Sequence, residues 1–340
     1  MAGIGEWIKR KRFATAGHIG MLEERMAAIS GELGRLRDLS AQTREAVAET
    51  MRHVGELEKT AADTREAAAF SRRALEISTT SDGISLAQSG RERKSAEEWF
   101  TEHYVDAADQ VLGFIAASGL GIGGREVADI GSGDGIIDLA LATRGAPSRL
   151  VGFDVVPTDV DELQLAAQAA GVDGVPANLS FAQSGIDSIP AADESFDAVV
   201  TWSVFEHVSE PLAMLKEIRR ILRPDGFLFL QLCPFYHSEH GGHLWLTHGG
   251  GFPHLLIPDD EVIASLAGKT GTDTRRPADD EYLSLNRLTL DQLGEMLNES
   301  GLRVARAELL SETLHFPPGI EAVVLSELLI SGVKLLATPA

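Results

Sequence analysis

With 340 residues, 44% of them hydrophobic, the chain is long enough for one large domain plus an appendage and can bury a substantial core. No apolar run approaches the roughly 20 residues of a membrane span. The apolar residues near the start are broken by Lys9-Arg10-Lys11-Arg12, which argues against a secretory signal. The single cysteine, Cys233, excludes an internal disulfide framework and fits a reducing cytoplasm, and the net charge of −21 argues against a nucleic-acid backbone as main partner.

The charge is unevenly placed. Residues 1–90 carry 13 basic and 13 acidic side chains, so the remainder, with 17 basic and 38 acidic, holds the whole excess. Residues 1–14 mix Trp7, Ile8 and Phe13 with the basic run, a composition that gives a weak foothold on an anionic membrane face or simply a solvated end. From Ile19 the apolar residues fall at Leu22, Met26, Ile29, Leu33 and Leu36, in steps of 3 and 4. That alternation turns one seam of a helix toward a partner. The spacing predicts a helix over 15–78, on the order of 90 Å long at about 1.5 Å per residue, whose thin seam points to self-association into a homo-oligomer. A helix folded back on the rest of the chain is the alternative.

Turn formers from Ser78 to Gly83 end that helix and open a linker over 79–96. Residues 97–118 read as one amphipathic helix, with His103 and Tyr104 able to face a ligand site. Strand and helix patterns then alternate. The predicted strands are 126–130, 149–154, 179–182, 196–202, 227–232, 303–309 and 332–337, with helices over 211–222 and 289–300. The fold class expected is α/β: a Rossmann-like, doubly wound seven-stranded sheet over 97–340, preceded by the coiled-coil helix.

The first strand runs into Gly131-Ser132-Gly133-Asp134-Gly135, a glycine turn opening a helix. In a doubly wound sheet a nucleotide-like ligand lies there. Asp154 stands at the tip of the second strand, 23 residues after Gly131, where a carboxylate can accept both hydroxyls of a ribose. A nicotinamide dinucleotide is the rival ligand. The glycines, however, read GxGxG behind Asp129 rather than the GxGxxG that cradles a pyrophosphate. Acids in and beside the turn repel a diphosphate and welcome a cation, and S-adenosylmethionine carries a sulfonium and an ammonium without phosphate.

The segments ADIGSGDG, VGFDV, IPAADESFDAVVTWSVFEHVSEP and LKEIRRILRPDGFLFLQL, in this order, resemble the successive motifs of the class I S-adenosylmethionine-dependent methyltransferases. The resemblance spans about residues 97–338. It implies that Asp129, Gly131, Ser132, Gly133 and Gly135 surround the methionine part of the cofactor and that Asp154, with Val155, holds the ribose. It further implies that the loop Ser184-Gly185-Ile186 flanks the adenine and that Trp202 and Ser203 border the site. Where the family usually has an Asp for the adenine amino group this chain has Gly185, with Gln183, Ser184 and Asp187 nearby.

The stretch 233–258 contains five of the ten histidines: His237, His240, His243, His248 and His254. Loops after the fifth strand lie beside the transferred methyl in such a fold, so this His-rich insertion, 233–288, is placed for the acceptor. A sugar hydroxyl needs a base to become a nucleophile, and imidazole serves near neutral pH. His240 and His243 are the leading candidates and His207 the reserve. The three-residue repeat of His237, His240 and His243 could ligate a metal, but no cysteine or paired acid completes a closed site and no metal is assigned. FYHSEHGGHLWL, FPHLLIP and YLSLNRLTLDQL more loosely resemble methyltransferases of bacterial polysaccharide and glycan biosynthesis. That resemblance implies that Tyr236, His237, His254 and Asn286 help to build the acceptor pocket, although Asn286 also suits a cap ahead of the Thr289 helix. The reading is thus a cytoplasmic O-methyltransferase for a sugar hydroxyl, peripheral at the inner membrane face if the N-terminus binds lipid. A small-molecule N- or O-methyltransferase and a scaffold that has lost catalysis are the alternatives.

Overall fold

The computed structural model describes residues 94–248, 251–272, 276–311, 319–320 and 323–340. The basic N-terminal segment, the 15–78 helix and the linker up to residue 93 lie outside the described residues. Strands β1 (Glu126–Ile130), β2 (Arg149–Asp154), β3 (Leu179–Gln183), β4 (Phe196–Trp202), β5 (Leu222–Leu232), β6 (Leu302–Leu310) and β7 (Gly332–Pro339) form one seven-stranded sheet. Its order is β3-β2-β1-β4-β5-β7-β6, parallel from β1 to β5, with β7 antiparallel to both neighbours. The chain winds outward from β1 through β2 to β3 and then returns to β4 on the other side of β1. That reversal opens a crevice over the carboxyl ends of β1 and β4.

Helices cover both faces, so the central strands are apolar nearly throughout. On one face Phe227 and Phe229 of β5 join Val127, Leu150 and Ala198, under Val111, Phe114 and Ile115 of α2 (Ala108–Ala116) and Leu139 of α3 (Ile136–Arg144). On the other face Leu228, Leu230 and Leu232 join Ala128 and Val199. Met214, Leu215 and Ile218 of α5 (Pro211–Ile221) cover them, with Leu293 and Leu297 of α9 (Leu290–Glu299). The remaining helices are α1 (Ala96–Thr101), α4 (Val160–Ala169), α6 (Pro253–Leu256), α7 (Asp259–Leu266), α8 (Ala278–Leu283) and α10 (Leu325–Leu329). None of the described helices is long and apolar enough to cross a membrane.

The helix expected over 97–118 is present without a break from Ala96 to Ala116, with a π-helical turn at Glu102–Ala107 between α1 and α2. Strand β5 starts five residues before the predicted 227. The Pro224-Asp225-Gly226 stretch reads as a turn, yet Leu222 pairs with Phe196 and a register irregularity between Phe196 and Ala198 absorbs the difference. Thr289 caps α9 through a capping box with Gln292.

Residues 233–288 carry α6 to α8 around a core of their own, Tyr236, Leu244, Val262, Leu266, Ala278, Tyr282 and Leu285. Asn286 ties this unit to the sheet. Its Nδ2 donates to the carbonyls of Phe205 (2.6 Å) and Val208 (2.9 Å), and its Oδ1 accepts from the Leu288 N–H (3.0 Å). The cap reading for Asn286 therefore fails: it serves the turn after β4, and Thr289 does the capping. Asn286→Ala leaves two carbonyls without that donor, so urea denaturation should show a loss of about 2 kcal/mol, with faster hydrogen exchange at residues 205–208.

Candidate functional site

From β1 the chain turns through Gly131, Gly133 and Gly135, all left-handed with φ of 86°, 57° and 80°. A side chain on Gly131 would also overlap Val204 in the turn after β4, so the two loops that border the crevice touch at a point only glycine permits. Asp154 closes the turn from the tip of β2. It accepts the Gly133 N–H at 2.9 Å and the Val156 N–H at 2.9 Å. The Ser132 hydroxyl lies 3.1 Å from that of Thr158. Trp99 of α1 donates its indole N–H to Asp134 at 2.8 Å, while His103 stacks on Trp99 at 4.0 Å and the Tyr104 hydroxyl lies 3.1 Å from that of Thr143. It is Trp99, rather than the expected His103 or Tyr104, that reaches the glycine turn.

Beside Asp154 the rim is apolar and open: Val155 is 40% exposed and Ile186, past β3, is 59% exposed. Ser184 donates its N–H to the Asp154 carbonyl at 2.8 Å, and Gly185 donates to the Ser188 carbonyl at 2.9 Å. The Gln183 amide is engaged with the Val155 carbonyl at 2.9 Å. At the end of β4 the Trp202 ring stacks on Phe229, and Ser203, held at φ 49°, donates both its N–H (2.8 Å) and its hydroxyl (2.9 Å) to Gln231 Oε1.

Under the turn lie two buried acids. Burial pushes Asp129 up to about 7, with the Asp154 charge adding to it, and Asp129 Oδ1 meets no hydrogen-bond partner among the described residues. Asp138 of α3 is pushed well above the usual carboxylate range by burial and by Asp129. An orphaned carboxylate oxygen and a backbone cradle that a Cβ would fill fit the amino-acid end of S-adenosylmethionine, whose ammonium is a natural partner for an acid.

The insertion divides its histidines. His254 is 4% exposed, lowered to about 4 by burial, and donates Nε2–H to the Tyr236 carbonyl at 2.6 Å, a role inside the small core. Tyr236 is also buried, its hydroxyl 3.2 Å from that of Tyr282 and the Arg287 guanidinium over its ring. His237 pairs with Glu327 at 3.1 Å, and burial lowers its pKa. His240 lies near Trp245, is held below its usual range by burial, and has no hydrogen-bond partner for Nε2 among the described residues. His243, at the left-handed φ of 55°, stands edge-on to His207 with ring centres 5.0 Å apart, and its Nδ1 is 3.4 Å from Glu281. His237, His240 and His243 therefore do not converge as a trio. The group that does gather is Glu206, His207 and His243. Burial pushes Glu206 up to about 8.

Trp99, Asp138 and Glu281 were not legible as site residues, and Glu206 reads in the sequence only as half of a helix-start pair. An acid in the apolar row Ile136-Ile137-Asp138-Leu139 was a usable signal; nothing in ADDEY singles out Glu281.

The strand order, the glycine turn and the acid at the tip of β2 make the Rossmann-like sheet of the methyltransferase fold. Residues 128–230 match the family model described as a methyltransferase domain. The ubiquinone biosynthesis O-methyltransferase of Cereibacter sphaeroides (strain ATCC 17029 / ATH 2.4.9) is 31% identical over 105 residues, 31% of this chain and 40% of that protein. The chain thus spans about two fifths of the length of this relative. An uncharacterized methyltransferase of Mycobacterium ulcerans is 30% identical over 182 residues, 53% of this chain and 66% of that one. Among solved structures, an S-adenosylmethionine-dependent methyltransferase from Mesorhizobium loti aligns with a TM-score of 0.43 at 15% identity, covering 69% of this chain and 99% of its own.

The acid pair costs stability. Carboxyl groups whose pKa values are raised by folding stabilise the native state fully below the unfolded value near 4, and that stabilisation is lost as the pH rises through the folded values. Asp138→Asn removes one such charge at nearly constant shape. Denaturation at pH 8 should show a gain of about 1–2 kcal/mol over wild type, shrinking toward zero at pH 5. An unchanged difference across that window would show that Asp138 does not titrate.

Proposed function

We propose that the chain binds S-adenosylmethionine over the Gly131–Gly135 turn and transfers its methyl group to a hydroxyl oxygen of a sugar or glycan held by the 233–288 insertion. What supports this reading is the acid-floored glycine turn at the β1–β4 crevice together with the histidine-rich composition of the insertion that follows β5. When bound, the cofactor supplies a methyl group on a positively charged sulfur, open to in-line displacement. Asp129 meets the cationic amino-acid end. Asp154 is fixed by the N–H groups of Gly133 and Val156, and each of its oxygens keeps a second lone pair for a ribose hydroxyl. Val155 and Ile186 give the adenine apolar surface. Trp202 and Ser203 form the border toward the acceptor, and Tyr236 and His254 frame the acceptor wall from behind.

Of the three histidine candidates, His240 suits the base. Burial keeps its imidazole neutral, and its Nε2, which meets no hydrogen-bond partner among the described residues, is the atom to take the proton of the acceptor hydroxyl. A second reading, an acceptor hydroxyl on a small molecule, is favoured by the relatives named as O-methyltransferases of ubiquinone biosynthesis. The heptad-patterned 15–78 segment belongs to the same proposal as the element that makes the enzyme an oligomer.

Isothermal calorimetry with S-adenosylhomocysteine should show binding by wild type and none by Asp154→Ala. His240→Ala should keep that affinity and lose about 10²-fold in turnover; a wild-type rate removes His240 from the base role. An acceptor panel with methyl-labelled cofactor decides between substrates. Label on saccharides supports the first reading, label on phenols alone the second, and label on amines alone overturns both.

A further inference from the structure

The turn after β4 and the insertion bring a second set of ligating atoms together, outside the cofactor crevice. Glu206, His207 and His243 each place one ligand atom within 4.8 Å of the other two. Glu206 is 4% exposed, and its Oε2 meets no hydrogen-bond partner among the described residues. Nε2 of His243, whose side chain is 8% exposed, is in the same position. Buried polar atoms left without a hydrogen-bond partner cost free energy, and a cation bound between them removes that cost.

The surrounding groups set both rings for that role. The Ser284 hydroxyl gives its proton to the Glu281 carbonyl at 2.7 Å, so its oxygen accepts the Nδ1–H of His207, also at 2.7 Å. The lone pair of His207 then resides on Nε2. Glu281 Oε1, 3.4 Å from His243 Nδ1, holds the N–H of that ring on the same side and leaves its lone pair on Nε2 as well. Thr272 steadies Glu281 through its N–H at 2.6 Å and its hydroxyl. A carboxylate behind one imidazole and a hydroxyl behind the other are the supports that orient metal-bound histidines.

We propose that Glu206, His207 and His243 hold a divalent first-row transition cation, with its remaining coordination positions left for an oxygen of the acceptor. Bonds of about 2.1 Å separate neighbouring ligand atoms by roughly 3–4 Å, so a small closure of the present spread completes the set. Two imidazoles and one carboxylate suit Zn²⁺, Fe²⁺ or Mn²⁺ rather than Ca²⁺ or Mg²⁺, and three protein ligands leave open positions. Glu206 is two residues beyond Val204, the residue that packs on Gly131. An ion there would lower the pKa of an acceptor hydroxyl coordinated to it, a consequence that rests on the methyl-transfer reading above.

The test uses the full chain, stripped with a chelator and titrated with Co²⁺ and then Zn²⁺. One equivalent of Co²⁺ should give visible d–d absorption that Zn²⁺ abolishes. Glu206→Gln and His243→Ala should each weaken binding more than 10-fold, and Glu281→Gln by about 10-fold or more. His248→Ala, in the same insertion but bonded to Thr247 and Ser265, should leave it unchanged. No saturable binding by wild type overturns the site, as does undiminished binding by Glu206→Gln and His243→Ala. Calorimetry with S-adenosylhomocysteine on the same samples keeps the readings apart. Retained cofactor affinity without metal binding sinks only the cation site, and metal binding without cofactor affinity sinks only the methyl-transfer reading.

Discussion

The close contact between Gly131 and Val204 is the constraint on which the site depends. The reversal of strand order between β1 and β4 makes a crevice in any doubly wound sheet. Here the absence of a side chain at residue 131 lets the turn after β4 lie directly on the glycine turn after β1. Everything that follows Val204 inherits that position: Glu206, His207 and the carbonyls of Phe205 and Val208 that Asn286 grips. The insertion is therefore attached, through Asn286, at the very turn that touches the glycine turn.

Buried acids recur around this contact. Asp129 and Asp138 under the glycine turn, and Glu206 across from His243, are all buried and pushed up in pKa by that burial. Elsewhere the domain pairs its acids conventionally: Glu217 and Asp193 with Arg220, Asp197 with Arg223, Asp259 with Arg287. A buried carboxylate without a partner destabilises the fold by several kcal/mol at most sites, and a cationic ligand converts that cost into affinity. A sulfonium with an ammonium suits the acids below the turn; a divalent ion suits the mixed set beside it.

Much of the fold was legible because its signals are local. The alternation of apolar strand runs with helix patterns and the glycine turn marked β1 to β4 nearly to the residue, and the helix expected over 289–300 is α9 behind its Thr289 cap. The misses have local causes as well. Pro224-Asp225-Gly226 carries the composition of a turn while its backbone continues β5, and no side-chain pattern announces the π turn that divides α1 from α2. In the site, Asp154 stood out because its place follows from strand length. Glu281 did not, because its importance arises from a contact with His243 across 38 residues of chain. Spacing along the chain grouped His237 with His240 and His243, whereas the folded insertion sends His237 to Glu327 and brings His207 in from another loop.

That regrouping explains why so many histidines sit in one short stretch without sharing a task. Gly241, between His240 and His243, has no room for a side chain against the Tyr236 carbonyl, so the segment folds tightly back on itself and points successive histidines in different directions. His254 goes into the small core and locks the Tyr236 carbonyl; His237 goes to α10; His243 crosses to the turn after β4. His240 keeps a neutral ring whose Nε2 meets no hydrogen-bond partner among the described residues. A base that must accept a proton at neutral pH needs those two properties together, and a metal ligand needs one nitrogen committed, as His243 Nδ1 is to Glu281, and the other left for the ion. The same loop supplies both because its glycine decides where each ring can turn.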